Sequence, residues 1–534
     1  MASSATFSTA IPSLDINHKY RWLILIGLMT AAVMEILDTT IVNVALPTMA
    51  GNLSATTTEV AWVSTGYILS NVIVLPMTAY LTGVFGRRNY LSASILIFII
   101  SSFLCGVSHS LVELVLWRIC QGIGGAALLS TAQATIRQIF PKQQQPMVQT
   151  IFLLGIIVAP TLGPTLGGWI TENYTWNWCF FINVPIGIAS FFLVSNFLQD
   201  PPGMRNGSRQ PDWLGISLLA VGLGSLQYVL EEGNQHDWFQ DDMIVRLAVL
   251  SAICLIVLLW WQFSPRNKQP VIEFRVLKNR DLTAAILLFV SMGFGLYGGV
   301  FIFPLFSQGI LGFNPTETGL ALLPGGIATA TSSMIVGQLL SRTKIDPRYI
   351  IMLGVGLFIF SMWDLAHLSV MSGFEDVKYP LLIRGFALGF LFAPINSVAY
   401  ANIDPREAQQ ASGLINLARQ LGGSFGIAYL GTFVTTRTAF HRASLVDHLQ
   451  PDNPAVQNRI DMVTHGVMAR GVDAERAHQA GVAILNGTVN KQSAMLAFND
   501  SWMLILAAFV VATPAIFLLR KPKASGGAPA GGGH

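Results

Sequence analysis

Charge is scarce in this chain: only 11% of its 534 residues are Asp, Glu, Lys or Arg, while 52% are hydrophobic. With a mean hydropathy of +0.55 and many apolar runs of about twenty residues, that balance excludes a soluble multidomain protein and places the chain in a membrane. The runs are continuous rather than alternating, which excludes a barrel and leaves an all-α polytopic protein. Cysteine is nearly missing too. Cys105, Cys120, Cys179 and Cys254 lie in or beside apolar runs, without metal spacing or a paired framework, and read as small buried hydrophobes. No Gly-Lys dipeptide and no His-Glu dipeptide occur. The phosphate-binding loop and the zincin motif are therefore absent, and no ATP-driven step, metal, cofactor or nucleic-acid partner is expected. Residues 1–18 lack the basic start, apolar centre and small-residue cleavage site of a secretory signal, so the first span is expected to be retained.

Apolar windows predict spans near 22–47, 59–81, 90–107, 111–136, 147–171 and 178–198, then two near 212–231 and 243–263. A second set of six follows near 282–307, 316–341, 349–371, 379–401, 408–436 and 500–519, giving fourteen in a 6 + 2 + 6 order. The implied organisation is a segment over 1–21, a six-helix half over 22–200, two additional helices over 212–263 and a second half over 281–519. A tail over 520–534, rich in glycine, should be disordered. Basic residues fall in alternate connections, among them Lys19 and Arg21, Arg87 and Arg88, Arg137 and Lys142, Arg205 and Arg209, the cluster from Arg266 to Arg280, Arg342 to Arg348, Arg406, and Arg520 to Lys523. The positive-inside rule then puts both termini in the cytoplasm.

One outer connection, 437–499, is too long for a turn. Val456, Ile460, Val463 and Val467 recur at helical spacing, as do Ala477, Ala480, Ile484 and Leu485, predicting a helical hairpin between the last two spans. It reads either as a solvated loop or as a docking or gating element. The two sets of six also echo each other. WRICQGIGGAALL in the fourth span and IRGFALGFLFAPI in the twelfth each open with an Arg just inside the outer boundary, although strings this short also match by chance.

Asp38 sits inside the first run. A carboxylate in hydrocarbon costs roughly 2.5 to 3.5 kcal/mol even on the lenient insertion scale, so it is expected to face a cavity, a cation or a proton path. Counting from Trp22 places it about 24 Å along the helix, and Arg118 enters from the other side to about 10 Å at the same 1.5 Å rise, so the two depths overlap. A guanidinium does not deprotonate, which leaves the proton on the acid as the variable. Proton coupling and a fixed ion pair between helices are both open readings. Glu35, one turn away on nearly the same face, is either a second protonation site or a ligand for a cationic substrate. In the second half Asp364 and His367 reach the depth of Arg384 and predict a structural pair, and Arg419 with Asn416 should face inward.

The fifth span carries Gly155, Pro160, Gly163, Pro164, Gly167 and Gly168. Small residues permit close backbone approach and Pro permits a bend, so this helix is expected to pack tightly between two moving halves, with a merely kinked helix as the alternative. Gly413, Gly422, Gly423 and Gly426 repeat the theme in the thirteenth. Polar candidates for a midplane pocket are Asn43, Gln133, Gln308, Asn396 and Asn416, each equally readable as an interhelical hydrogen bonder.

Together, LDTTIVNVALP, the Arg118 to Gly122 stretch, GPTLGG and WNWCFFINVPIG resemble the 14-helix drug:proton antiporter branch of the major facilitator superfamily. DWLG at 212, the outer EEGNQHDWF stretch and the glycine-rich tail are similar to the subgroup that serves as inner-membrane pump of tripartite efflux systems. The resemblance implies a multi-pass bacterial inner-membrane exporter of hydrophobic drugs, driven by protons and embedded in lipid. It further implies a periplasmic adaptor of the EmrA type and, through it, a TolC-type outer-membrane channel. It assigns proton coupling to Asp38 and Arg118 and the antiporter motif to Gly163–Gly168. Gly86, Arg87 and Arg88 match the family's cytoplasmic gate loop, but Gly83 stands where an Asp is usual, so another pair is expected to hold that gate. An exporter of one endogenous metabolite or lipid is the alternative function, and a non-transporting receptor or scaffold a remote one.

Overall fold

Backbone polar groups have no water to bond in hydrocarbon, so each apolar run closes its own hydrogen bonds as a helix. The computed structural model describes residues 19–141, 144–200, 212–267, 270–343, 345–401, 403, 407–449 and 453–519. The first bundle comprises α1 (Arg21–Asn52), α2 (Thr57–Val74), α3 (Thr78–Phe85), α4 (Arg87–Val107), α5 (Leu111–Ile139), α6 (Gln145–Asn173), α7 (Trp178–Phe181) and α8 (Asn183–Phe197). Two helices follow, α9 (Trp213–Glu232) and α10 (Asp242–Phe263). The second bundle holds α11 (Arg280–Phe306), α12 (Pro315–Arg342), α13 (Pro347–Leu365), α14 (Phe374–Ala399), α15 (Ala408–Asp447), α16 (Pro454–Met468), α17 (Ala474–Ala512) and α18 (Pro514–Leu518). The end of the bundle where α1 begins is called the near face, and the end where α5 begins the far face.

Local chemistry sets the boundaries. Thr56 and Glu59 form a capping box at the start of α2, as Asn314 and Glu317 do for α12, and Ser110 and Asp473 cap α5 and α17. Pro76 cannot continue an α-helix pattern, so the second span is broken by a 3-10 turn over Leu75–Met77 between α2 and α3. Gly86, at φ +81°, ends α3 and starts α4 with no linker, a conformation that favours glycine. The sixth span is likewise two helices, α7 and α8.

Twelve stretches among the described residues are long and apolar enough to cross a membrane. The other two expected spans fall on α6 and α15, which run for 29 and 40 residues. Several α6 side chains lie outside the described residues, and Gln409, Gln410, Asn416, Arg419 and Gln420 lower the hydropathy of α15. The basic residues at 142, 205, 209, 268, 344, 406 and 520–523, together with the tail, also lie outside the described residues.

The two bundles repeat one arrangement. α1 packs on α6 and α8 as α11 packs on α15 and α17; α2 packs on α5 as α12 packs on α14; α4 joins α5 to α8 as α13 joins α14 to α17. The bundles meet where α6 lies on α12 and where α15 lies on α5 and α3. α9 rests on both α2 and α15, and Asp212 ties it to α10 by accepting from Gly215 N, Trp261 Nε1 and Asn267 Nδ2 at 2.9, 2.8 and 2.7 Å.

The far-face connection differs from the expected inserted hairpin. α15 and α17 do not stop at membrane length but run on as continuous helices, and α16 folds back on the start of α17 around Gly471. Val456, Ile460 and Ala477 are buried in that contact, while Met462, Val482 and Ile484 stay exposed. Arg437 Nε and His441 Nε2 both reach Asp500 Oδ2, at 2.5 and 2.8 Å, holding the two long helices together.

Glycine sets the closest helix crossings. A Cβ on Gly293 would collide with Arg419 O and lie 3.1 Å from Gly423 N, so α11 and α15 touch backbone to backbone. Gly293→Val is therefore expected to destabilise the purified protein by about 1–3 kcal/mol through overpacking. Gly356→Ala, which meets nothing within 4 Å, should be neutral in the same thermal unfolding measurement.

Candidate functional site

Asp38 lies on α1 with no solvent exposure, and Arg118 Nη1 on α5 is 2.5 Å from its Oδ2. Its other oxygen accepts from Gln121 Nε2 at 3.0 Å and Asn183 Nδ2 at 2.8 Å. Arg118 is anchored independently of the acid. Its Nε donates to Val63 O at 2.8 Å, its Nη1 also to Gln121 Oε1 at 2.7 Å, and its guanidinium lies 4.4 Å from the Tyr67 ring centroid. Each of these positions follows from helix geometry: Arg118 and Gln121 are one turn apart on α5, and Asn183 opens α8 beside Ser102 of α4, 3.1 Å away.

That asymmetry has chemical content. The cation keeps its carbonyl, amide and ring partners whatever the state of Asp38, whereas a proton on Asp38 turns one acceptor oxygen into a donor and weakens the contact that ties α1 to α5. Glu35, one turn toward the near face, accepts from Leu129 N at 3.1 Å and Asn71 Nδ2 at 3.4 Å. Gly125 lets α2 pack closely on α5 beside the two acids: a Cβ there would lie 2.5 Å from the Tyr67 hydroxyl and 3.2 Å from Asn71 Nδ2. Tyr67 is buried beside them. Sequence reasoning missed Gln121, Asn183, Tyr67 and Asn71, although Gln121 and Asn183 stand inside two of the four strings that carried the family resemblance.

The antiporter-motif glycines do not face the second bundle. A Cβ on Gly155 would meet Val33 and Met29, on Gly163 Thr40 and Ile41, and on Gly167 Ile41, so this face of α6 closes on α1 in the same bundle, around Asp38. Gly168 meets nothing within 4 Å, and the Pro160 and Pro164 side chains lie outside the described residues.

A second polar set joins the bundles toward the near face. Asn416 Nδ2 donates to Gln133 Oε1 at 3.1 Å, Ser412 Oγ to Ser130 O at 2.8 Å and Gln409 Nε2 to Thr131 Oγ1 at 3.1 Å. Arg137 Nη2 donates to Asn396 O at 3.0 Å with its guanidinium 3.7 Å from the Tyr400 ring centroid. Arg419 Nη2 holds Asn416 Oδ1 at 3.0 Å. Three of the five pocket candidates, Gln133, Asn396 and Asn416, therefore line a closed seam. The other two depart from expectation: Asn43 is exposed and accepts from Ser64 Oγ at 2.7 Å, and Gln308 is exposed on the π-turn Ser307–Leu311 that ends α11, well away from midplane. Arg137, read in the sequence only as an orientation signal, is a cross-bundle clamp.

The gate loop is held within the first bundle. Arg87 Nη2 donates to Gln138 Oε1, Arg88 N to Asp200 Oδ1 at 2.9 Å, and Arg88 Nε to Ser195 O at 2.8 Å. Gln138 and Asp200 supply the partners that Gly83 does not. The predicted pair of Asp364 or His367 with Arg384 does not form. His367 is exposed, its Nδ1 is 2.6 Å from Trp363 O and its ring lies 4.4 Å from the Trp363 ring, so local stacking has turned it away from α14. Asp364 is half-buried and makes no ion pair among the described residues. Arg384 is buried without either.

Comparison with known proteins agrees with this architecture. The family model described as Major Facilitator Superfamily matches residues 28–427. The multidrug export protein EmrB of Escherichia coli K12 is 30% identical over 95% of this chain and 97% of its own. The EmrB protein of Haemophilus influenzae is 33% identical over 82% and 85%, and the fatty acid resistance protein FarB of Neisseria gonorrhoeae 30% over 94% and 96%. A crystal structure of the human organic anion transporter MFSD10 superposes with a TM-score of 0.56 at 12% identity, covering 92% of this chain and 99% of that one, a likeness of fold.

Because both members of the Asp38–Arg118 pair are buried, Arg118→Ala leaves an uncompensated acid and is expected to cost about 3–5 kcal/mol of stability. Asp38→Ala with Arg118→Ala should recover most of that loss in denaturant unfolding of the purified protein.

Proposed function

The chain belongs to the Major Facilitator Superfamily, a family of membrane transporters rather than enzymes, and on that premise we propose that it is a proton-coupled multidrug efflux pump working by alternating access. In this reading the chain crosses a bacterial inner membrane fourteen times, the near face is cytoplasmic and both termini lie there. The observation that carries the proposal is the division of labour along α5: Arg118 holds a buried acid in the far half while residues 130–137 seal the bundles together in the near half.

A state sealed at the near face is the one in which Asp38 takes its proton from the periplasm. Protonation loosens α1 from α5, the bundles tilt, and the Gln133–Asn416 and Arg137–Asn396 contacts part to admit drug from the cytoplasmic side. Drug binding then favours release of the proton inward. Each charge moved through 100 mV supplies about 2.3 kcal/mol, sufficient with one or two protons for a useful gradient of neutral drug. Glu35 is the second candidate carrier, and Gly163 and Gly167 hold α1 in register beside α6. The EmrB names support multidrug export, and FarB favours a second reading, export of a lipid-like compound. A drug-resistance panel with no effect, alongside loss of one secreted compound, would favour the latter. The partner surface in this proposal is the α16–α17 hairpin, whose exposed Met462, Val482 and Ile484 suit a periplasmic adaptor of the EmrA type leading to a TolC-type channel.

Asp38→Asn is expected to abolish proton-driven accumulation of drug in everted vesicles while drug binding stays measurable; accumulation at the parental rate would refute the coupling role. Deleting residues 451–492 is expected to weaken co-purification with the adaptor while leaving the membrane-embedded protein folded, and unchanged co-purification would reject the docking assignment.

A further inference from the structure

The repeat between the bundles identifies what is missing from the second. In the first, Arg118 of α5 faces α1, and α5 packs on α2 through Gly122 and Gly125. In the second, Arg384 of α14 faces α11, and α14 packs on α12 through Gly385 and Gly389. Where α1 presents Asp38, α11 presents Gly299, whose added Cβ would stand 3.2 Å from Arg384 Nη1. Arg384 is 7% exposed, donates no hydrogen bond and forms no ion pair among the described residues, and its Nη1 is buried without a partner.

A buried, permanently charged guanidinium without a counter-ion is costly in hydrocarbon, and an anionic ligand would relieve that cost. The walls are aromatic. Trp502, fully buried and with its own indole N–H unpartnered, lies beside Gly299, and Phe306 stacks edge-on against both Trp502 and Phe498, with ring centroids 6.5 and 5.6 Å away. One cation among apolar rings suits a ligand with one anionic group on a hydrocarbon body, and a guanidinium matches a carboxylate in bidentate fashion.

We infer that Arg384, Gly299 and Trp502 form an anion site in the second bundle that receives the carboxylate of an amphipathic organic acid. The assignment deepens the export reading by naming a substrate class, and rests on it only for the route by which the acid arrives.

The test uses the purified full-length protein and a fluorescent polyene fatty acid, with its methyl ester as the uncharged control. The parent should bind the acid about tenfold or more tighter than the ester. Arg384→Gln should bring the acid down to the ester's affinity and leave the ester unchanged, and Arg384→Lys should keep part of the preference. Gly299→Asp, by supplying an internal carboxylate, should abolish the preference while raising thermal stability. No preference in the parent, or a preference that survives Arg384→Gln in a protein that unfolds at the parental temperature, overturns the assignment. Stabilisation by chloride or phosphate that depends on Arg384, with none by the fatty acid, also overturns it in favour of an inorganic anion. Binding is read without a proton gradient. Loss of proton-driven ethidium export from the parent would therefore sink the transport reading and leave this one standing.

Discussion

A cation that cannot lose its charge, set in hydrocarbon, forces the structure around it. Arg118 must be neutralised, and the first bundle does so with a carbonyl from α2, an amide from its own helix, an aromatic face and a single acid from α1. Of these only the acid carries an opposite charge. Three helices thus converge on one group, and α1, which supplies the acid, is also the helix clasped by the glycines of α6.

The same bundle arrangement, built twice, separates two tasks. In the first copy the arginine site is complete and internal; in the second the arginine faces a glycine instead of an acid. Between the copies, amides, hydroxyls and the Arg137 guanidinium close the near half with hydrogen bonds near 3 Å, without a buried ion pair among the described residues. Neutral contacts of that kind contribute about 1 kcal/mol each. A seam of several is firm enough to be a distinct state and weak enough to open.

Much of this was legible in the residues. An acid and an arginine in apolar runs at overlapping depth announced their pairing, because hydrocarbon leaves few other ways to keep them. The long helices followed from hydropathy, and the 456–467 and 477–485 periodicities located the α16–α17 contact. What misled was side-chain direction. Depth alone put Asp364 and His367 level with Arg384, but α13 ends at Leu365 and the turn that follows lays His367 against Trp363 instead. Glycine density announced close packing around α6 without saying on which face: Gly155, Gly163 and Gly167 close on α1, while α6 also lies against α12 of the other bundle. Polar residues such as Gln121 and Asn183 carry no signal of their own in an apolar run; they acquire meaning only from the acid they face.

The uninterrupted passage of α15 and α17 out of the bundle makes them levers. Joined by Arg437, His441 and Asp500 where they leave the packed core, they have no hinge there at which a tilt could dissipate. In the proposed cycle, rocking of the second bundle would be delivered, magnified by their length, to whatever rests on the helical crown above, so a docked conduit would feel each turnover as a mechanical stroke.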